Sequence, residues 1–154
     1  MNGYGKRVLV ADDEGGVRRL IVTLLHQAGY NVHQAADGME ALVEMKKWRF
    51  DAVVAEYSLP RLDGVRLLLL SRMMWPEVPV VLLSADLTDL PLTLQKQGAS
   101  ALVPKPFAPQ ELLQALAEAV ASGYAAHAGD MSPQRLPEPT EPAVALQGPV
   151  AGAD

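Results

Sequence analysis

Cysteine is absent from this chain. Disulfides, thiolate metal sites and cysteine nucleophiles are therefore excluded. Aromatic residues amount to 5% and are scattered, too thin a supply for a surface that stacks nucleic-acid bases. Basic residues are outnumbered, 13 against 18 acidic ones, for a net charge of −5. A broad nucleic-acid footprint, which needs clustered Lys and Arg, is not expected. No apolar run approaches the roughly 18 residues of a membrane span. Met1 to Val10 lacks the charged region, apolar stretch and small-residue cleavage site of a secretory signal. The expectation is a soluble, cytoplasmic protein without nucleic-acid or membrane partners. His26, His33 and His127 show no metal-ligand spacing, and His26 and His33 are expected on the surface.

What the 154 residues do contain is alternation. Arg7 to Ala11 is a short continuous apolar run, as a strand covered on both faces requires. Val17, Leu20, Ile21, Leu24 and Leu25 then repeat with the period of one helix face, closed by Gly29. Tyr30 to Ala35 reads as a strand. Asp37 and Glu40 form a capping-box pattern opening a helix to about Trp48. Asp51 to Ala55 reads as a third strand, and Asp63-Gly64 opens a Leu-rich helix ending near Trp75-Pro76. Val78 to Leu83 is the fourth and most apolar strand. A helix is expected within 86–97, delayed or irregular at its start because of Pro91. Ala101 to Val103 is the fifth strand. Pro109 opens a last helix with Leu112, Leu113, Leu116 and Val120 on its apolar face, and Gly123 is expected to end it.

Five βα units imply an α/β fold, a doubly wound parallel sheet with helices on both faces. The expected division is an extension at 1–5, one domain at 6–122, and a tail at 123–154. Five of the twelve prolines fall in that tail, which has no apolar period and reads as disordered, with polyproline character. It is too short for an output domain such as a helix-turn-helix.

In an open parallel sheet, ligands bind beyond the carboxyl ends of the strands. Those ends here carry Asp12-Asp13-Glu14, Glu56, Ser84-Ala85 and Pro104-Lys105-Pro106. Asp37, after the second strand, is better explained as a helix cap. Clustered carboxylates raise one another's pKa unless a cation compensates. Mg²⁺ with oxygen ligands does so, and so does a lysine ammonium. An amine and a hydroxyl beside an acid cluster suit Mg²⁺-assisted phosphoryl transfer to a carboxylate. Nothing points to an organic cofactor.

The stretches Val8 to Glu14, Ala36 to Leu42, Asp51 to Pro60, Asp63-Gly64, Val80 to Ala85 and Lys105 to Phe107 together resemble the receiver domain of response regulators, over Lys6 to about Ser122. The resemblance, with the βα pattern, implies the flavodoxin-like strand order 2-1-3-4-5. It also implies a signalling module of two-component phosphorelay, not an enzyme. By the resemblance, Asp13, Glu56 and the Ser58 backbone carbonyl match the Mg²⁺ ligands, with Asp12 acting through water. Ser84 and Lys105 match the groups that contact the phosphoryl, and Pro106 matches a proline often cis-linked to the lysine.

Two positions depart from the family pattern. Glu56 stands at the phosphoacceptor position in place of aspartate, and Leu102 stands where the family has an aromatic switch residue. The extra methylene moves the carboxylate roughly 1.5 Å further from the backbone. In-line attack on phosphorus is sensitive to such a displacement. Phosphorylation is therefore expected to be lost or very slow, and Mg²⁺ binding weakened. Glu56 could instead reach Lys105 and Ser84 as a partial phosphoryl mimic, or leave a phosphate-independent scaffold. The expected partners are proteins, a histidine kinase or a downstream effector, met through the face of the fourth helix, fifth strand and fifth helix. That face includes Leu87, Leu90, Leu92, Leu94 and Lys96, and the chain is expected to be a monomer or weak dimer. The alternative from the enzyme class is a Mg²⁺-dependent phosphohydrolase of the haloacid dehalogenase type, with Asp12 as nucleophile and Glu14 two residues on. A nucleotide-binding fold would need a glycine-rich turn after the first strand, where acids stand instead.

Overall fold

The computed structural model describes Gly3, residues 5–85 and residues 98–130, with side chains described as far as Gly123. The described elements are β1 (Arg7–Ala11), α1 (Gly15–Gln27), β2 (Asn31–Ala35), α2 (Gly38–Lys47), β3 (Ala52–Glu56), α3 (Gly64–Met74), β4 (Val80–Ser84), β5 (Ala99–Pro104) and α4 (Pro109–Asp130). The helix expected within 86–97, and the docking face built on it, lie outside the described residues. So does the tail from Met131 onward. The expected extension is held to the α1–β2 turn, because Gly3 N–H donates to Ala28 O and Gly5 N–H to Gly29 O, both at 2.8 Å.

The strands form one parallel sheet in the order β2-β1-β3-β4-β5, as expected. Strands β3 and β4 are buried at every position, which is why their sequences read as unbroken apolar runs. Alternate residues point to opposite faces. Leu9, Val53, Val80 and Leu82 pack under α2 and α3 with Ala41, Met45, Leu67 and Leu68. Val8, Val10, Val54, Val81 and Leu83 pack under α1 and α4 with Ile21, Leu25, Leu112 and Leu116.

The helix starts follow the capping chemistry in the sequence. Asp37 Oδ1 accepts from the Glu40 amide at 2.8 Å, and Glu40 Oε1 reaches back to the Ala36 amide at 2.8 Å. Asp63 caps α3 by accepting from the Arg66 amide at 2.9 Å. Each bond satisfies a donor that the first helical turn leaves without an intrahelical partner.

Three expectations are corrected. Gly123 does not end the last helix, which runs on to Asp130, so the boundary expected at 122–123 falls inside α4. A Cβ at Gly123 would lie 3.0 Å from the Pro79 ring and 3.3 Å from the Glu77 carbonyl oxygen. The glycine marks close packing of α4 on the turn before β4, not a helix stop. Leu20 is 67% exposed and is not part of the α1 core face, which is carried by Ile21 and Leu25. His33 is half-buried. Its Nδ1 lies 3.0 Å from Glu44 Oε1, and its ring packs edge-on to Phe50 and tilted against Trp48.

Candidate functional site

Strand register assembles the site. Ala11 pairs with Ala55, so Asp12 and Glu56, each one residue further, emerge side by side. Glu56 pairs with Leu83, and Ser84 with Pro104, which brings Ser84 and Lys105 to the same edge. Backbone pairing continues past the strand ends: Asp12 N–H donates to Ala35 O, Tyr57 N–H to Leu83 O, and Lys105 N–H to Ser84 O at 2.8 Å. The loops therefore leave the sheet in fixed directions. Asp12, Glu56 and Ser84 are all buried, at 1%, 8% and 5% exposure. Buried acids need partners, since an unpaired carboxylate in low dielectric is costly.

Lys105 is that partner. Its ammonium donates to Asp12 Oδ2 at 2.9 Å and forms an ion pair with Glu56 Oε1. The remaining oxygens are also engaged. Asp12 Oδ1 accepts from the Glu14 amide at 2.9 Å, and Glu56 Oε2 from the Ser58 amide at 3.3 Å. Arg18 was not singled out from sequence, yet its Nη1 donates to the Asp12 carbonyl oxygen at 2.7 Å and its Nε to Gln34 at 3.1 Å. It ties α1 and β2 to the turn after β1. Only its place one turn after Glu14 could have marked it.

Burial pulls the Lys105 ammonium down, but hydrogen bonds and charge from Glu56 and Asp12 outweigh it, and its pKa lies above the ordinary 10.5. A lysine raised on folding contributes stability that is fully present below its unfolded pKa and is lost as pH rises through the folded one. Lys105→Met, which strands two buried acids, should cost about 3 kcal/mol at neutral pH. The gap in urea midpoint between the two chains should persist to about pH 10.5 and narrow above it. Tyr30, pushed up from 10.0 by burial, titrates in both chains and cancels in the difference. A gap that is constant from neutral pH to pH 12, or no gap at neutral pH, would contradict the ion-pair assignment.

Asp13 and Ser58 are exposed and line a cleft of about 380 Å³ with Tyr57, Pro60, Asp63 and Val65. Among the described residues, no three acidic or histidine side chains converge as a ready cation cage. Mg²⁺ commonly binds through one or two carboxylates and keeps several waters. Asp13 and Ser58 at this cleft fit that lean mode, whereas Glu56 is buried behind it and would have to be shared with Lys105. Asp37 lies outside the cluster. It caps α2, and its Oδ2 pairs with Arg61 Nε at 3.3 Å. Leu102 sits opposite Leu82 in β5, partly buried against the core beneath α2 and α3. The Lys105–Pro106 peptide bond is cis.

With this geometry in place, similarity to known proteins is specific. Residues 8–117 match the response regulator receiver domain family. Response regulator MprA of Mycobacterium sp. (strain KMS) is 39% identical over 108 residues, 70% of this chain and 47% of that protein. The chain spans about half the length of the curated relatives it matches. Chemotaxis response regulator CheY4 of Vibrio cholerae has a similar structure, with TM-score 0.70 and 30% identity over 75% of this chain and 98% of that one. The receiver domain of sensor histidine kinase PA1611 from Pseudomonas aeruginosa PAO1, with a magnesium ion coordinated in its active site cleft, gives TM-score 0.69 and 27% identity over 76% and 98%. The order of strands, the acid–lysine edge and these similarities together place the chain in the family of response regulator receiver domains, the signalling domains of two-component systems.

Proposed function

We propose that this receiver domain works with its phosphate input replaced by a fixed charge. The observation that carries this reading is the Glu56–Lys105 ion pair. Glu56, at the acceptor position, sets a carboxylate oxygen on the lysine that a phosphoryl oxygen would otherwise engage. The second oxygen rests on the Ser58 amide, so the carboxylate is held at both ends. One carboxylate carries less charge and fewer acceptors than a phosphoryl group, so the mimic is partial. Mg²⁺ would be held by Asp13, the Ser58 carbonyl and Glu56, with Asp12 through water, and would supply positive charge to offset the acid charge that Lys105 leaves over. Its affinity would be low, because Lys105 already neutralises part of the cluster.

The domain acts through protein contacts, with a histidine kinase or an effector as partner, on the face that carries β5 and α4. A phosphohydrolase role is disfavoured: Asp12, the nucleophile it would need, is buried and holds Lys105 and the Glu14 amide. Incubated with Mg²⁺ and acetyl phosphate, the chain should show no stable gain of a phosphoryl mass by mass spectrometry. Stoichiometric label on Glu56 would overturn the reading.

A further inference from the structure

At the opposite end of the sheet from Glu56, the ends of α2 and α3 enclose a cavity of about 200 Å³. Its apolar wall is Met45, Phe50, Val78 and two indoles, Trp48 and Trp75, which are the only tryptophans of the chain. Lys46, Lys47, Arg49 and Glu77 also line it, and Lys46 and Lys47 are exposed. Cations in the last turn of a helix are favoured by the helix dipole, which accounts for the lysines on α2. Trp48 carries the Arg7 guanidinium over its ring at 4.8 Å and the His33 ring beside it, and Trp75 packs on the core, yet Trp48 stays 36% exposed next to Trp75 at the cavity.

An aromatic-walled groove with a basic rim suits an acidic, proline-rich segment, because proline rings pack on indoles and a polyproline helix is already extended. This chain carries such a segment: Leu136-Pro137-Glu138-Pro139-Thr140-Glu141-Pro142. Its reach is adequate. Gly123 of α4 packs against Pro79 and the Glu77 carbonyl, and Glu77 itself lines the cavity. From there α4 runs on to Asp130, roughly 10 Å of helix. Residues 131–136 can span roughly 20 Å when extended, enough to bring Pro137 back to the cavity. Attachment to the same chain raises the effective concentration of the segment to the millimolar range, on the order expected for short linkers.

We propose that the segment Leu136–Pro142 docks in the Trp48–Trp75 cavity of its own chain, with Glu138 and Glu141 paired to Lys46 and Lys47. Because both tryptophans line the cavity, acrylamide quenching of tryptophan emission in the full chain reads the docking directly. Reversing the tail charges with Glu138→Lys and Glu141→Lys should increase the quenching constant about twofold. Lys46→Glu with Lys47→Glu should do the same, and the four substitutions combined should restore the original value. The tail variant changes no residue of the described fold, so it remains decisive if the lysine variant loses its circular dichroism spectrum. Unchanged quenching in the tail variant would overturn the proposal. So would a difference that disappears on dilution, which would place the segment on a second copy.

Discussion

Glu56→Asp should be labelled by acetyl phosphate faster than the parent chain by on the order of a hundredfold. Shortening the side chain by one methylene withdraws the carboxylate by roughly 1.5 Å. The withdrawal weakens its hold on Lys105 and opens space in front of it for an incoming phosphoryl group. The remaining groups, Asp12, Asp13, Ser84 and Lys105, already stand at the same sheet edge, set there by the register of β1, β3, β4 and β5. Mass spectrometry after incubation with Mg²⁺ and acetyl phosphate is the measurement, with Glu56→Gln as control. Glutamine keeps the length of Glu56 but has no carboxylate to attack phosphorus, so it should stay unlabelled. Failure of Glu56→Asp to label would mean that the acid–lysine cluster is not a phosphoryl pocket held back by one methylene.

The largest effect on stability is expected at a glycine. Gly38→Ala should destabilise the fold by about 3 kcal/mol or more, read as a fall in urea midpoint. A Cβ there would lie 1.8 Å from the Leu62 carbonyl oxygen and 2.6 Å from the Leu62 Cβ. Neither is the loose end of a long side chain, so relief requires moving backbone. The Gly38 amide also donates to the Pro60 carbonyl at 3.3 Å, and Asp37 holds Arg61, which adopts a φ of 69°. The start of α2 is therefore the seat of the loop that follows Glu56, and displacing it should also disturb the cleft at Ser58 and Asp63. Gly16→Ala is the matched control. Its Cβ meets nothing within 4 Å, and alanine favours the helix, so the change should be neutral or slightly stabilising. Equal midpoints for Gly38→Ala and the parent chain would refute the close contact.

Much of this architecture was legible because burial on both faces leaves a plain mark. The runs Val8 to Val10, Val53-Val54 and Val80 to Leu83 are apolar at successive positions, as central parallel strands require. The cap at Asp37 was legible because its chemistry is local. Asp12, Glu56, Ser84 and Lys105 were legible by position, since each stands at or just after the end of a strand. The Lys105–Glu56 contact was anticipated from the longer side chain at 56, but the Lys105–Asp12 contact was not, because register across the sheet decides it. Gly123 was misread because a helix stop and a close crossing both select glycine, and only the partner turn at Pro79 distinguishes them. Leu20 was misread because the helical period admits it but does not fix where the buried stripe ends, which Ile21 and Leu25 carry. His33 gave no signal, since Glu44, Trp48 and Phe50 reach it from α2 and the turn that follows.

The Lys105–Asp12 contact joins residues 93 apart in sequence. Asp12 and Glu56 are brought together when β1 and β3 pair, whereas their counter-ion arrives only with the outermost strand, β5. During synthesis from the N-terminus, the two acids therefore meet before their ammonium counter-ion, with only the Glu14 and Ser58 amides to offset their repulsion. Relief comes when β5 docks, so the edge of the sheet stabilises its centre. Folding is thereby made more cooperative: loss of the last strand is felt at the first.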